Sequence, residues 1–285
     1  MKKWLFLFAV LLVAGGIVFE QNEQLMQGYP AREKDQEAVS QLKQQTITIT
    51  KDQVYQGDLL LVNKEYPVHK EGIKSDVIKL SQHKQLIRGY GLLDNRIQLS
   101  ESVAQRFIEM VGAAQKDKVS HFSITSGYRG LEEQSQLYQE MGSDYALPAG
   151  YSEHNLGLSL DIGSTQMEMN QAPEGKWLNK NAWKYGFILR YPKDKAAITG
   201  IQYEPWHYRY IGLPHSAIMQ EKRFVLEQYL DYLKKEKSIL FTVDGTKYQV
   251  AYYPVSQNTA IKVPANRQYE ISGNNMDGII VTVRL

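Results

Sequence analysis

The sequence predicts an α+β protein: a small antiparallel sheet with helices packed to one side, followed by a small all-β module at the C-terminus. Three observations carry this expectation. Apolar residues recur at helical spacing within residues 100–116, 131–141 and 217–235. Short alternating stretches around residues 156–161 and 206–210 read as strands set between those helices. After Lys237 the pattern has a period of two. A length of 285 residues suits one good-sized domain and a small appendage.

At the N-terminus, Lys2 and Lys3 precede an uncharged apolar run, residues 4–19, which Glu20 ends. This is the pattern of an export segment. The run is slightly shorter than the roughly 18–20 residues of a spanning helix, and Val13-Ala14-Gly15 is a poor cleavage site. The expectation is an uncleaved single-pass anchor over residues 1–20 in the cytoplasmic membrane. The positive-inside rule then puts the N-terminus in the cytoplasm and everything after Glu20 outside. Residues 21–45, rich in Gln, Glu and Lys, read as a solvated spacer.

Alternation at Thr46 to Thr50 and the run Leu59-Leu60-Leu61-Val62 suggest strands that open a domain over residues 46–236. Ser100 is the expected N-cap of a helix whose Val103, Phe107, Met110, Val111 and Ala114 share a face. Residues 131–141 and 176–185 read as second and third helices. Residues 217–235 read as one amphipathic helix, with Ile218, Phe224, Val225, Leu226, Tyr229 and Leu233 on its apolar side. In the module, residues 237–285, Asp244-Gly245 is a hairpin turn between residues 239–243 and 248–255. Strands at 259–263 and 279–283 flank the turn residues Ser272-Gly273-Asn274-Asn275. A module of about fifty residues has a thin core of its own, so it should dock on the domain before it.

Composition excludes several chemistries. The 33 basic and 31 acidic residues nearly cancel, which gives no electrostatic argument for nucleic acid as a partner. With no cysteine there is no disulfide framework, thiolate metal site or cysteine nucleophile. Any metal must be held by histidine and carboxylate.

The chemistry concentrates in Ser152-Glu153-His154-Asn155-Leu156-Gly157-Leu158-Ser159-Leu160-Asp161 and in Glu204-Pro205-Trp206-His207-Tyr208-Arg209-Tyr210. A strand through Leu156, Leu158 and Leu160 turns Ser159 and Asp161 to the opposite face. A carboxylate in such a strand is costly unless paired or metal-bound. His154 approaches it if Gly157 allows a bend, and His207 lies in an aromatic strand with Trp206 and Tyr208 facing away. Two imidazoles and a carboxylate, His154, His207 and Asp161, form an open zinc set with a fourth position for water. Glu204 stands three residues before His207, and Pro205 bends the chain so that its carboxylate serves as general base. Both spacings are short and common, and each residue equally suits a hydrogen-bonded structural role.

The two segments resemble the SxHxxGxAxD and ExWHxRY motifs of the D-alanyl-D-alanine metallopeptidases, specifically VanY-type D,D-carboxypeptidases. The resemblance extends to Ser126-Gly127-Tyr128-Arg129 with Gln134, to Pro148-Ala149-Gly150-Tyr151, to Tyr185-Gly186-Phe187 and to Arg190-Tyr191-Pro192. It implies the hedgehog/D,D-peptidase fold and one zinc ion on His154, Asp161 and His207, with Glu204 as catalytic base. Arg129 would stabilise the oxyanion, and Gln134, Ser152 and Trp206 would contact substrate. The implied substrate is a peptidoglycan precursor peptide ending in D-Ala-D-Ala, the group to which glycopeptide antibiotics bind. Ser159 departs from the family pattern, which has alanine there.

Three alternatives stand beside this reading. A serine D,D-peptidase finds only Ser81-Gln82-His83-Lys84, with no S-D-N or K-T-G to follow. An L,D-carboxypeptidase of the same fold, acting on tetrapeptide stems, has the same spacing. A non-catalytic wall-binding relative has no need of every ligand together with Glu204.

Overall fold

The computed structural model of the chain describes residues 26–29, 43–142 and 147–285. In chain order the strands are β1 (Met26–Tyr29), β2 (Gln44–Ile49), β3 (Val77–Lys79), β4 (Gly91–Leu92), β5 (Gln98–Ser100), β6 (Phe122–Ser126), β7 (Ser159–Ser164), β8 (Phe187–Leu189) and β9 (His207–Tyr210). Then come β10 (Ser238–Val243), β11 (Thr246–Pro254), β12 (Thr259–Pro264), β13 (Tyr269–Gly273) and β14 (Gly278–Arg284). The helices are α1 (Glu101–Lys116), α2 (Leu131–Met141), α3 (Pro173–Asn181), α4 (Ala196–Thr199), α5 (His215–Lys222) and α6 (Leu226–Glu236).

One five-stranded sheet runs β4-β6-β7-β9-β8, antiparallel except for the short parallel β4–β6 pair. The second runs β1-β10-β11-β14-β13 and is antiparallel throughout. The α+β architecture with an all-β C-terminal part is therefore the one the hydrophobic periods require. The edge strand β1 falls within the stretch that composition marks as a spacer, and β2 pairs with β12.

The first sheet is covered by α1. Ser100 caps that helix, its Oγ accepting from the Val103 N–H at 3.4 Å. Val103, Phe107, Met110, Val111 and Ala114 all lie buried against Phe122, Ile124, Leu158, Leu160 and Ile162. Burying each large side chain here contributes about 1.5–3 kcal/mol. A second core joins the C-terminal sheet to the helices before it: Ile218, Leu226, Tyr229, Leu230 and Leu233 pack with Phe241, Val250, Tyr252 and Ile280. The helices cover one face of that sheet, and its other face carries a third buried cluster that includes Ile261, Val263, Val281 and Val283.

Three local expectations are corrected. Residues 59–62 form no strand, although their alternation is real: Leu60 and Val62 enter the first core, Leu59 and Leu61 the second. Side chains take the place of a ladder. The Arg209 guanidinium donates to the carbonyls of Asp58 at 2.9 Å and Leu60 at 3.1 Å. Ser272 Oγ accepts from Leu59 N–H at 2.9 Å, and Asn275 donates to the Leu61 carbonyl at 2.8 Å. The helix expected over residues 217–235 is two helices, α5 and α6, broken at Arg223, whose φ is 52°. Phe224-Val225-Leu226 are three successive apolar residues, more than one helix face accepts. The third helix begins earlier than expected, with Pro173 in its first turn, and passes into a 3-10 turn over Ala182–Tyr185.

The single-pass anchor, the cytoplasmic membrane as partner and the membrane localisation are also corrected. No helix among the described residues is long and apolar enough to cross a membrane. The apolar run itself, residues 4–19, lies outside the described residues.

Candidate metal centre and active site

Ser152 caps a 3-10 turn over Glu153–Leu156, its Oγ accepting from the His154 N–H at 3.4 Å. Gly157 then reverses the chain at φ 83°, and a Cβ there would stand 3.0 Å from Val77 Cγ2. Only glycine makes this bend without strain, and the bend brings His154 back over β7. In β7, Leu160 and Ile162 point into the core while Asp161 faces the opposite way. The register of β7 with β9 sets Asp161 directly across from His207, and Ser159 across from Arg209.

Three side chains converge as a result. Asp161 Oδ1 lies 3.4 Å from His154 Nε2 and 3.2 Å from His207 Nδ1. The two imidazoles meet edge to face, 4.9 Å apart at 87°. Asp161 Oδ1 is buried and neither contact has hydrogen-bond geometry, so it has no hydrogen-bond partner among the described residues. One ligand atom from each residue lies within 4.8 Å of the others. Tetrahedral zinc with bonds of about 2.0–2.1 Å sets its ligand atoms about 3.3 Å apart. The separations between Asp161 and the two histidines fit that geometry. The cluster is a buried His–Asp–His site suited to a metal ion.

The outer nitrogens of both rings are engaged. His154 Nδ1 donates to the Gly127 carbonyl at 2.6 Å, which leaves Nε2 with the lone pair. His207 Nε2 lies 3.3 Å from Glu153 Oε2. Burial lowers the His207 imidazole's pKa, but the adjacent Asp161 and Glu153 carboxylates outweigh it and push it up to about 9. Burial, with Arg129 nearby, lowers that of His154. Burial raises the Asp161 carboxyl, yet His154 and His207 together hold it well below the usual range.

Glu204 Oε2 lies 3.8 Å from His207 Nδ1, the same nitrogen that faces the cluster. Burial raises its carboxyl, and His207 offsets this only in part. Arg129 is gripped from three sides: its Nε donates to Gln134 Oε1 at 2.9 Å, Nη1 to Ser126 Oγ at 2.9 Å and Nη2 to Ser152 Oγ at 3.4 Å. Gln134 Nε2 donates in turn to the Leu147 carbonyl at 2.6 Å. Gln134 and Ser152 are both buried, each with its side-chain oxygen turned to Arg129. Trp206 is 42% exposed and offers its backbone carbonyl to Ile162 N–H. Ser81 belongs to a 3-10 turn over Leu80–Gln82 and donates to the Asn95 carbonyl at 2.8 Å; Lys84 opens a separate turn. A cavity of about 640 Å³ lies elsewhere, between Tyr210–Leu213 and the last two strands.

Sequence reasoning missed the charges beneath the cluster. Glu153, Arg190 and Arg209 are each no more than 1% exposed. Glu153 Oε1 accepts from Arg190 Nε at 2.8 Å and Arg209 Nη1 at 2.9 Å, and Arg190 forks onto Glu227 at 2.9 and 2.7 Å. A signal existed for Arg209: it follows His207 by two in a strand, so the two share a face. Ser159, the departure from the family pattern, donates to Glu153 Oε2 at 3.2 Å. Tyr191 packs its ring 4.9 Å from that of His207.

A sequence profile of the family described as VanY: D-alanyl-D-alanine carboxypeptidase matches residues 96–213. A D-alanyl-D-alanine carboxypeptidase of Enterococcus faecium is 58% identical over 292 residues, covering 99% of this chain and 96% of its own. Among solved structures, vancomycin resistance D,D-dipeptidase VanXYg in complex with a D-Ala-D-Ala phosphinate analog superposes with a TM-score of 0.75 at 32% identity, over 85% of this chain and 100% of its own. A mutant of the vancomycin resistance D,D-pentapeptidase VanY in complex with Zn(II) gives a TM-score of 0.51 at 28% identity, over 61% of this chain and 98% of its own.

Proposed function

The chain belongs to the VanY family of D-alanyl-D-alanine carboxypeptidases, and we propose that it is a zinc D,D-carboxypeptidase that removes the terminal D-alanine from peptidoglycan precursor peptides ending in D-Ala-D-Ala. The observation that carries this reading is the convergence of His154, Asp161 and His207 with Glu204 beside the same His207 nitrogen. The catalytic part lies within residues 46–236, with residues 237–285 as a β-rich module packed on it. His154 Nε2, Asp161 Oδ1 and His207 Nδ1 would hold one zinc ion, which when bound supplies a Lewis acid and lowers the pKa of water.

The chain's own groups do the rest. Glu204 accepts a proton from the attacking water and delivers it to the amino group of the departing D-alanine. Its raised pKa, caused by burial, makes it a better proton acceptor than a solvated carboxylate. Arg129 donates to the carbonyl oxygen as negative charge develops there. Ser126, Gln134 and Ser152 leave its guanidinium little freedom, so the donor is already oriented before reaction. Trp206, exposed beside His207 in sequence, offers an apolar wall to the peptide. Loss of the terminal D-alanine destroys the D-Ala-D-Ala ending, and with it the binding target of glycopeptide antibiotics.

The test is release of D-alanine from a UDP-linked muramyl pentapeptide by the purified chain, with and without chelator, beside Glu204→Gln. Release abolished by chelator, reduced 10²–10⁴-fold by the substitution and indifferent to penicillin is the expected result. A folded, zinc-loaded protein that leaves the pentapeptide intact but cuts the tetrapeptide would overturn the D,D-specificity.

A further inference from the structure

The two oxygens of Glu153 are divided between two tasks. Oε1 accepts both guanidinium groups, Arg190 Nε at 2.8 Å and Arg209 Nη1 at 2.9 Å. Oε2 takes no arginine; it faces Ser159 Oγ at 3.2 Å and His207 Nε2 at 3.3 Å. The arginines are themselves fixed, Arg190 by the Glu227 carboxylate and Arg209 by the carbonyls of Asp58, Leu60 and Tyr210. The carboxylate plane therefore cannot turn without breaking charge-assisted bonds on both sides. A glutamate present only to neutralise two arginines has no need to keep one oxygen for an imidazole.

We infer that Glu153 is a positioning residue of the metal centre: by accepting the His207 Nε2–H, it selects the tautomer in which Nδ1 carries the lone pair turned toward Asp161 and His154. Ser159 locks the oxygen that does this. The inference rests on the metal reading above. An imidazole whose outer N–H meets a carboxylate is held in ring orientation and is a more basic ligand, and removal of such a partner costs 10–100-fold in metal affinity. Glu153 touches neither substrate nor reacting atoms, so its effect passes entirely through His207.

The experiment is zinc affinity, measured by competition with a chromophoric chelator, for the wild-type chain and Glu153→Gln. Expected is a zinc dissociation constant raised about 10–100-fold, with kcat at saturating zinc lowered and KM changed less than about threefold. A folded Glu153→Gln protein whose zinc affinity lies within about threefold of wild type would overturn the inference. Should that variant fail to fold, ¹⁵N-histidine NMR of the zinc-loaded wild type decides instead. His207 must then show a protonated Nε2 and an unprotonated Nδ1; the reverse tautomer overturns the proposal. A wild-type chain that binds no zinc would overturn the metal reading itself, and the two failures are thus distinguished.

Discussion

Acidification should destabilise the protein through His215, a residue outside the metal centre. His215 opens α5 and is 5% exposed. Its Nδ1 meets the Tyr229 hydroxyl of α6 at 2.7 Å, and its Nε2 meets Thr282 Oγ1 of β14 at 3.0 Å. Both partners are neutral hydroxyls, and burial pushes the imidazole down to about 3. In the unfolded chain the same group titrates near 6.5. The folded state therefore binds fewer protons than the unfolded state below pH 6.5. The contribution of the neutral imidazole is complete above that pH and is lost as pH falls toward 3. Between pH 7 and pH 5 the two pKa values translate into a loss of about 2 kcal/mol.

The assay is urea unfolding at both pH values for the wild type and for His215→Gln, which keeps a donor and an acceptor but cannot titrate. Subtracting the variant's curve removes the titration of every group common to both. The wild type should lose about 2 kcal/mol more than the variant over this interval. Parallel curves would refute the reasoning, because they would mean that the folded protein admits a proton on His215 as readily as the unfolded chain does.

Arg129→Met should lower kcat about 10²–10³-fold without releasing zinc, as steady-state kinetics and metal analysis will show. Gln134→Ala removes one of the three bonds on Arg129 and should cost less. Asp161→Asn should abolish zinc retention on gel filtration and lose the metal-dependent rise in Tm that mass action gives the wild type. At the helix break, Arg223→Gly relieves a left-handed residue at φ 52° and should raise stability by about 0.5–1 kcal/mol in urea unfolding; a loss would show that the arginine side chain contributes more than the strain costs.

The parts of the site that were legible in the sequence share one property: local geometry fixes them. Gly157 was readable as a bend because no other residue takes φ 83° without strain, and the bend alone returns His154 to Asp161. The hairpin at Asp244-Gly245 was equally plain, since both residues sit at positive φ, 46° and 74°. What stayed hidden depends on partners distant in sequence. Nothing local marks Glu153, between Ser152 and His154, as buried; its partners Arg190 and Arg209 come from other elements. The extended run at Leu59–Val62 carries a strand's alternation, but most of its backbone partners are side chains, from β9 and from the turn near Asn275. The break between α5 and α6 also stayed hidden, because helical periodicity on either side placed Phe224-Val225-Leu226 on one apolar face.

These distant partners explain why a buried charge cluster is tolerable beneath the metal centre. Burying Glu153 or either arginine singly would cost several kcal/mol. Together with Glu227 the four charges cancel, and the remaining N–H groups of Arg209 find backbone carbonyls instead of water. Two of those carbonyls belong to residues 58 and 60, whose segment is tied to the C-terminal strands through Ser272, Asn274 and Asn275. The C-terminal sheet thus does more than cover an apolar helix face. It fixes the backbone that satisfies Arg209, which holds Glu153, which faces His207. A ligand set built only on the short strands β7 and β9 would leave the His207 ring free to rotate. The support that prevents this is drawn from both ends of the described chain.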